Sequence, residues 1–131
     1  MTSQSIYHLV PESELRRGLG PAAYVPDGLA ADGFVHCSVT ECVLLVARAY
    51  YASVAEPLLL LRIDPARLTS RLLFEAALPA APPGVAPGTL FPHVYGPIDR
   101  EAITGVGELE RERGELAWPR HFRPLELHSP R

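Results

Sequence analysis

A short strand passes directly into a helix in the stretch Gly33-Phe34-Val35-His36-Cys37-Ser38-Val39-Thr40-Glu41. The apolar residues from Phe34 to Cys37 predict the strand. Ser38 and Glu41 have the capping-box spacing, in which the serine hydroxyl accepts a hydrogen bond from a first-turn amide and the glutamate reaches back to the cap. We therefore expect Ser38 to begin the helix and His36 to lie at its amino terminus, where free amides favour an anion such as phosphate.

The helix after this stretch has one apolar face. Four residues recur at the i, i+3, i+4 and i+7 positions of that face: Val43, Val46, Ala47 and Tyr50. The pattern predicts a helix that runs to about Ala52. The next apolar run, Leu58 to Ile63, has the length of a strand and little polar alternation. It predicts a strand that is buried on both faces at the centre of the sheet.

Weaker patterns predict the other elements. A first strand over residues 5–10 is followed by Pro11 and acidic residues, which favour the first turn of a short helix. The dipeptides Asp27-Gly28 and Asp32-Gly33 are typical of turns. Further strands are predicted over residues 34–37, 71–76, 91–95 and 103–109, with one helical turn over 97–102. Residues 78–89 are rich in proline and glycine and predict a mobile loop or lid.

Three histidines lie inside aromatic or apolar clusters. They are His8 in the first strand, His36 in the opening stretch, and His93 shortly after the proline-rich segment. Imidazole has an ordinary pKa near neutrality, so these residues are the candidate catalytic groups. Each also has a structural explanation, since a hydrogen-bonded histidine at a strand edge or in a turn is common. Ser38 is better explained by capping than as a nucleophile, because no Gly-x-Ser-x-Gly motif surrounds it.

Tyr95 and Glu75 are two further candidate site residues. Tyr95 follows His93 by two positions, so in a strand both side chains project to the same side. A proline-rich loop before such a pair is typical of a ligand lid, and the alternative is a turn-rich connection with an incidental histidine. Glu75 ends a weak strand and is the first carboxylate to consider as an orienting partner for a histidine. A solvated charge is its alternative role.

Cys37 and Cys42 are expected to be reduced thiols, because their spacing matches no metal-binding knuckle and nothing indicates secretion. Cys37 follows His36, so its side chain should point to the opposite face of a strand and pack as a small buried residue. A reactive thiolate at the helix start is the alternative. No His-x-His or His-x-x-x-His pair fixes two ligands on one element, and no metal site is predicted.

Composition limits the classes of function and the organisation of the chain. Its 131 residues suffice for one domain with a continuous core. All 12 basic residues are arginine, and a net charge of −3 argues against nucleic acid but not against a small nucleotide ligand. No signal-peptide pattern or membrane-length apolar run occurs, so we expect no membrane association and a cytoplasmic location. We predict a domain over 1–110 and a Pro- and Arg-rich tail over 111–131, packed on it by Trp118 and Phe122 or partly disordered.

Three motifs, in order, resemble the DUF952 family of small bacterial proteins: Ile6-Tyr7-His8-Leu9, Asp32-Gly33-Phe34-Val35-His36-Cys37-Ser38 and Phe91-Pro92-His93-Val94-Tyr95-Gly96-Pro97. The resemblance covers about residues 6–109. More distantly, Tyr7-His8 and Val35-His36-Cys37-Ser38 are similar to histidine motifs of the superfamily of ADP-ribosyltransferases and RNA 2′-phosphotransferases. This likeness implies an α+β fold with a split, mostly antiparallel sheet, one main helix and short helices.

The superfamily likeness also implies that NAD is the ligand. His8 and His36 would contact its ribose and phosphate groups, and His93 would occupy a position that often holds a catalytic glutamate. The remaining site residues would be Tyr7, Ser38, Phe91, Tyr95 and Glu75, with Phe91 or Tyr95 stacking on a ring.

Three functions are compatible with these residues. The first is an NAD-utilising, ADP-ribosyltransferase-like protein that acts on a small-molecule acceptor or on water. The second is a non-catalytic module that binds a nucleotide or a partner, which is favoured by an imidazole at His93 where a carboxylate would serve catalysis. The third is a thiol-dependent or glutathione-linked enzyme that uses Cys37.

Overall fold

Ten strands and three α-helices make up the part of the chain that the computed structural model describes, residues 4–78 and 80–125. The strands are β1 (Ile6–Pro11), β2 (Ala23–Tyr24), β3 (Val35–His36), β4 (Leu58–Ile63), β5 (Arg71–Ala76), β6 (Leu90–Tyr95), β7 (Ile98–Asp99), β8 (Ile103–Glu108), β9 (Glu110–Glu112) and β10 (Glu115–Ala117). The helices are α1 (Glu12–Gly18), α2 (Gly28–Asp32) and α3 (Thr40–Tyr50), with 3₁₀ turns at Pro65–Arg67 and Arg100–Ala102.

Two three-stranded antiparallel sheets organise the fold. Their strand orders are β1-β4-β8 and β3-β6-β5. Tyr7 and Ser38 join the sheets, because the amide of each donates to the carbonyl oxygen of the other over 2.9 and 2.7 Å. The short pairs β2–β7 and β9–β10 are also antiparallel. The predicted α+β class with mostly antiparallel strands is therefore confirmed.

β4 lies at the centre of the first sheet, as its apolar sequence predicts. Leu59 and Leu61 belong to one buried cluster of side chains, and Leu58 and Leu60 belong to a second one, against which α3 packs. Each face of the strand is thus covered by apolar side chains. This burial explains why the strand lacks polar alternation.

The predicted capping box at Ser38 is wrong. The two hydrogen bonds with Tyr7 hold the Ser38 backbone in an extended ladder, and Val39 takes the N-cap position with φ −79° and ψ 162°. No side chain caps the helix, which begins at Thr40. His36 therefore lies in β3, four residues before the helix begins.

Two other local predictions need correction. Tyr50 was expected on the buried face of α3, but the helix ends there and the side chain is 58% exposed, while Cys42 takes a buried place instead. The turn dipeptides Asp27-Gly28 and Asp32-Gly33 flank the short helix α2. Gly33 ends this helix with φ +82°, a left-handed conformation that glycine adopts without steric cost.

The remaining predicted elements agree with the structure in type and in approximate position. β5 has the predicted bounds, and β6 and β8 match their predicted strands within a residue. Residues 80–89 contain no strand, as the prolines predict, and residue 79 lies outside the described residues. Whether this segment moves stays a prediction. The predicted turn over 97–102 is divided between β7 and a 3₁₀ turn.

The segment after residue 109 packs onto the sheets up to residue 125. It forms the β9–β10 hairpin, and the Trp118 ring meets the Tyr7 ring edge-on with centroids 5.4 Å apart. Phe122 contacts Trp118, and Arg123 pairs with Val106 at the edge of β8. Trp118 and Phe122 thus both pack against the second buried cluster. Residues 126–131, the end of the predicted tail, lie outside the described residues.

Candidate functional site

A cavity of about 270 Å³ lies between α3, the strands β3 and β6, and the proline-rich segment. His36 and His93 are directly paired residues of these antiparallel strands, so their side chains emerge on the same face of the sheet. The neighbouring pair Val35 and Val94 faces the other way and is buried in the core. Strand alternation thus places both imidazoles in the wall of the cavity.

Apolar side chains form most of the remaining cavity wall. Leu9 enters it from β1, Val46 and Tyr50 from α3, and Phe91 from β6. Leu78 and Pro82 of the proline-rich segment also line it. The predicted role of this segment as a lid stays a prediction.

Glu75 binds the buried imidazole of His93. His93 is 2% exposed, and its Nδ1–H donates to Glu75 Oε1 over 2.9 Å. The Tyr95 hydroxyl donates to the same carboxylate oxygen. Both hydrogen bonds lower the pKa of Glu75, and that from Tyr95 has the larger effect. The same bond to Glu75 raises the pKa of Tyr95. The predicted pair His93 and Tyr95 and the candidate carboxylate Glu75 thus form one hydrogen-bonded unit.

Phe34 is a member of this cluster that the sequence analysis did not single out. Its ring stacks on His93 with centroids 4.0 Å apart and an interplanar angle of 25°. It also contacts His36 at 4.6 Å and Tyr95 at 5.3 Å between centroids. Its position two residues before His36 in an extended segment was the available signal, since such residues share a face.

Asp32 is the second residue that the sequence analysis missed as a site residue. The His36 Nε2–H donates to Asp32 Oδ2 over 3.0 Å, and both side chains are about half exposed. The His36 and His93 rings lie 5.7 Å apart between centroids. Two histidine–carboxylate pairs therefore meet at one wall of the cavity, one exposed and one buried.

His8 lies on the core side of β1 and does not line the cavity. Its Nδ1–H donates to the His36 carbonyl oxygen over 2.7 Å, and its ring contacts Tyr24 at 5.9 Å between centroids. Burial lowers the pKa of His8 to about 4. The structure thus connects His8 to the backbone of His36, whereas we expected its side chain in the cleft.

The other predicted residues divide between the cavity and its surroundings. Ser38 and Phe91 line the cavity, whereas Tyr7 packs in the apolar cluster behind it and Tyr95 and Glu75 lie beyond the His93 ring. Cys37 also borders the cavity but is 3% exposed, and burial raises the pKa of its thiol. Their predicted functional roles stay predictions.

Neither a cluster of metal ligands nor a membrane-length apolar helix occurs in the described part of the chain. Within residues 4–78 and 80–125, no group of three or more His, Cys, Asp or Glu side chains is arranged to hold a metal ion. No helix in the same residues has the length and apolarity needed to cross a bilayer. Both cysteines, Cys37 and Cys42, are free thiols.

Three solved structures resemble the fold of this chain. The crystal structure of the protein CC0527 from Caulobacter crescentus has a TM-score of 0.70 and 24% identity, over 86% of this chain and 92% of that one. A crystal structure of a CC0527 double mutant gives the same TM-score and coverage at 23% identity. The solution NMR structure of CC0527 has a TM-score of 0.65 and 24% identity, over 88% of this chain and 91% of that one.

The comparison with curated proteins gives no match. The family model described as "Protein of unknown function (DUF952)" matches residues 9–106 of the chain. This match runs from Leu9 in β1 to Val106 in β8 and includes His36, His93 and their carboxylate partners Asp32 and Glu75. The chain belongs to the DUF952 family.

Proposed function

We propose that the protein binds NAD in this cavity and transfers its ADP-ribose unit to water or to a small hydroxyl-bearing acceptor. The observation that carries the proposal is the pairing of His36 and His93 in the cavity wall, each held by a carboxylate. An aromatic ring at Phe91 and a hydroxyl at Ser38 complete a wall suited to a flat ring with few polar groups. The net charge of −3 supports a small ligand rather than nucleic acid.

The size of the cavity decides how much of NAD it would hold. At about 270 Å³ it lies just below the usual range of small-molecule pockets, roughly 300 to 1,000 Å³. It suits one ring and its ribose rather than a whole dinucleotide. The phosphates and the second nucleoside would extend past His36, which is half exposed at the cavity mouth. Phe91 is the residue placed to stack on the enclosed ring.

His93 has the arrangement of a general base. Because its Nδ1–H is donated to Glu75, its Nε2 carries a lone pair that can accept a proton. In the proposed step the bond between ribose C1′ and the nicotinamide nitrogen breaks, and its electron pair leaves with nicotinamide. A new bond forms from C1′ to the acceptor oxygen, whose proton goes to His93 Nε2. Glu75 would stabilise the imidazolium that results.

The ADP-ribosyltransferase-like fold is part of this proposal. Two three-stranded antiparallel sheets joined at Tyr7 and Ser38 fit the split sheet that the superfamily likeness implies. Both histidine motifs of that likeness flank the junction, since His8 follows Tyr7 and His36 precedes Ser38. Use of NAD also agrees with the cytoplasmic location that we propose.

A nucleotide-binding module without catalysis is the second candidate. Among the described residues, no Asp or Glu side chain lines the cavity, and Glu75 lies beyond the His93 ring. A cationic, oxocarbenium-like transition state would therefore meet no carboxylate at close range. The thiol-dependent reading has less support, because Cys37 is buried and burial raises its pKa, which disfavours the reactive thiolate.

An assay of nicotinamide release separates the first two candidates. The wild-type protein is incubated with NAD, alone and with small alcohols, and free nicotinamide is measured by chromatography. The proposal predicts release that falls about 10²- to 10⁴-fold in His93→Gln, the range expected for loss of a general base. His121→Gln is the matched control, because His121 is exposed and does not line the cavity. Binding of NAD without release supports the module, and neither binding nor release contradicts both.

A further inference from the structure

The outer edge of β5 is unpaired in the part of the chain that the structure describes. β5 lies at the end of the sheet order β3-β6-β5, and its six residues pair with β6 alone. The other ends of the two three-stranded sheets are engaged. Ser38 pairs with Tyr7 between β3 and β1, and Arg123 pairs with Val106 on β8. The open edge of β5 presents backbone N–H and C=O groups that another strand can bind.

β5 lacks the proline, lysine and bulge that commonly protect an edge strand. Its sequence contains neither residue type, and its six residues pair with β6 in an unbroken register. Phe74 in this strand is 49% exposed, and Leu90 of β6 is exposed on the same face of the sheet. The edge is therefore long, regular and partly apolar, which favours the addition of a strand.

Two charged side chains of β5 are available to a partner. Arg71 is exposed and forms no ion pair within residues 4–78 and 80–125. Both hydrogen bonds to Glu75, from His93 and Tyr95, use Oε1, which leaves Oε2 without a partner in the same residues. Arg71 and Glu75 are four residues apart on one face of the strand, a distance of about 13 Å. Within one chain they are too far apart to form an ion pair.

An antiparallel second copy of β5 brings these charges together. In a two-fold pair centred on Leu73, Arg71 of each copy lies opposite Glu75 of the other. The Cβ atoms of directly opposed residues are about 4.5–5.5 Å apart, close enough for an arginine–carboxylate ion pair. The same register sets Leu72 opposite Phe74, whose exposed ring it covers. A pair centred on Leu72 or Phe74 would instead set Leu73 opposite a charged residue and would form no ion pair between Arg71 and Glu75.

We propose that the protein forms a two-fold dimer through β5, in which two copies join their β3-β6-β5 sheets into one continuous sheet. The occupant of the edge is a second copy of this chain, because the order of charged and apolar residues over 71–75 is complementary to itself. A two-fold interface requires such self-complementarity. The dimer brings Arg71 of the partner subunit to Glu75, the carboxylate that binds His93. The proposal is independent of the identity of the ligand.

Sedimentation velocity measures the dimer directly. The protein is followed from about 10 µM to about 1 mM, because an interface built on one pair of strands is small and its affinity is low. The monomer is expected at the lower concentration and the dimer is expected to predominate at the higher one. A monomer at every concentration would assign the edge to another occupant, such as a strand of a different protein, and would overturn the proposal.

Charge reversal tests the pairing of Arg71 with Glu75. Arg71→Glu sets carboxylates opposite each other in the dimer, and Glu75→Arg does the same with guanidinium groups, so each variant should dimerise at least about tenfold more weakly. An equimolar mixture of the two variants should dimerise again, since every opposed pair then has opposite charges. Arg113→Glu, in the exposed β9–β10 turn, makes the same change in net charge and should dimerise as the wild type does. Folded variants whose mixture stays monomeric would overturn the proposal.

A cysteine substitution tests the two-fold centre without altering the charges. Leu73→Cys sets the two new thiols opposite each other, with Cα atoms about 4.5–5.5 Å apart, which suits a disulfide. Oxidation by dissolved oxygen at about 1 mM protein should therefore cross-link this variant into dimers. Leu90→Cys is the matched control, because Leu90 is accessible but lies on β6, at least roughly 14 Å from its equivalent in the dimer. Equal cross-linking of the two variants, or none in Leu73→Cys, would overturn the proposal.

Discussion

Glu75 accepts the Nδ1–H of His93 over 2.9 Å, and this hydrogen bond joins an edge strand to the cavity wall. The Tyr95 hydroxyl donates to the same carboxylate oxygen. The acceptor at Nδ1 fixes which ring nitrogen of His93 carries the proton. A residue that is partly solvent-exposed thus controls the chemistry that a buried imidazole presents to a ligand.

The first prediction concerns this proton. In wild-type protein at pH 7.5, the imidazole ¹⁵N shifts of His93 should show a protonated Nδ1 and an unprotonated Nε2. Glu75→Leu should convert this state to a mixture or to the Nε2–H form, because Nδ1–H loses its acceptor. Tyr95→Phe, which leaves the carboxylate in place, should preserve it. A wild-type imidazole that is protonated on Nε2 would contradict the assignment.

The second prediction is that His8 makes stability depend on pH. Burial lowers its folded-state pKa from 6.5 to about 4. As pH falls between these values, the unfolded chain binds a proton that the native protein does not, so stability is full above pH 6.5 and falls as pH approaches 4. The loss should total roughly 3 kcal/mol. Denaturant unfolding at pH 7.5 and 4.5 measures it.

The control for this prediction is His8→Asn. Its amide N–H can still donate toward the His36 carbonyl oxygen but cannot titrate. The variant should lose less stability between pH 7.5 and 4.5 than the wild type, by about 2 to 3 kcal/mol. His121→Asn, at an exposed position, should behave as the wild type. Equal losses in His8→Asn and wild type would show that His8 is not the titrating group.

The third prediction concerns the Tyr24 hydroxyl. It is sealed from solvent and has no partner in the described residues, and burial raises its pKa. An unpaired buried hydroxyl is unfavourable, so Tyr24→Phe should leave the free energy of unfolding unchanged or raise it by about 1 kcal/mol. Chemical denaturation at neutral pH measures this change. A loss of more than about 1 kcal/mol would mean that the hydroxyl makes a stabilising hydrogen bond.

The fourth prediction is that the thiols are inert in the native protein. Cys37 and Cys42 are 3% and 5% exposed, and burial raises the pKa of both. Iodoacetamide should modify them only as fast as the protein opens, and much faster in denaturant. Cys37→Ala should retain NAD binding. Rapid alkylation of Cys37 together with loss of ligand binding would contradict this prediction and support the thiol-dependent function.

Local patterns predicted most of the elements, because their causes are local. The apolar run of β4 has the length and composition of a strand buried on both faces. The prolines of residues 80–89 lack the amide N–H that a strand needs for its ladder hydrogen bonds, whatever the surrounding structure. Glu75 was a candidate to orient a histidine, but the sequence did not say which one. The geometry of its pairing with His93 came only from the register of β5 and β6.

Contacts between distant residues account for what the sequence did not predict. Ser38 and the residues after it match the sequence pattern of a helix cap, but the Ser38 backbone pairs with Tyr7, which lies 31 positions earlier. A pattern of neighbouring residues cannot indicate so distant a partner. The same register places His8 on the core side of β1, away from the cavity. Asp32 was read only as a turn residue because its contact with His36 depends on α2.

Calorimetric titration of NAD into the protein tests whether the cavity lined by His36 and His93 binds NAD. Nicotinamide and ADP-ribose are titrated in parallel, and His36→Ala and His121→Ala are compared with the wild type. We expect saturable NAD binding that His36→Ala weakens about tenfold or more and His121→Ala leaves unchanged. No heat of binding with any of the three ligands, or equal affinity in wild type and His36→Ala, would contradict it.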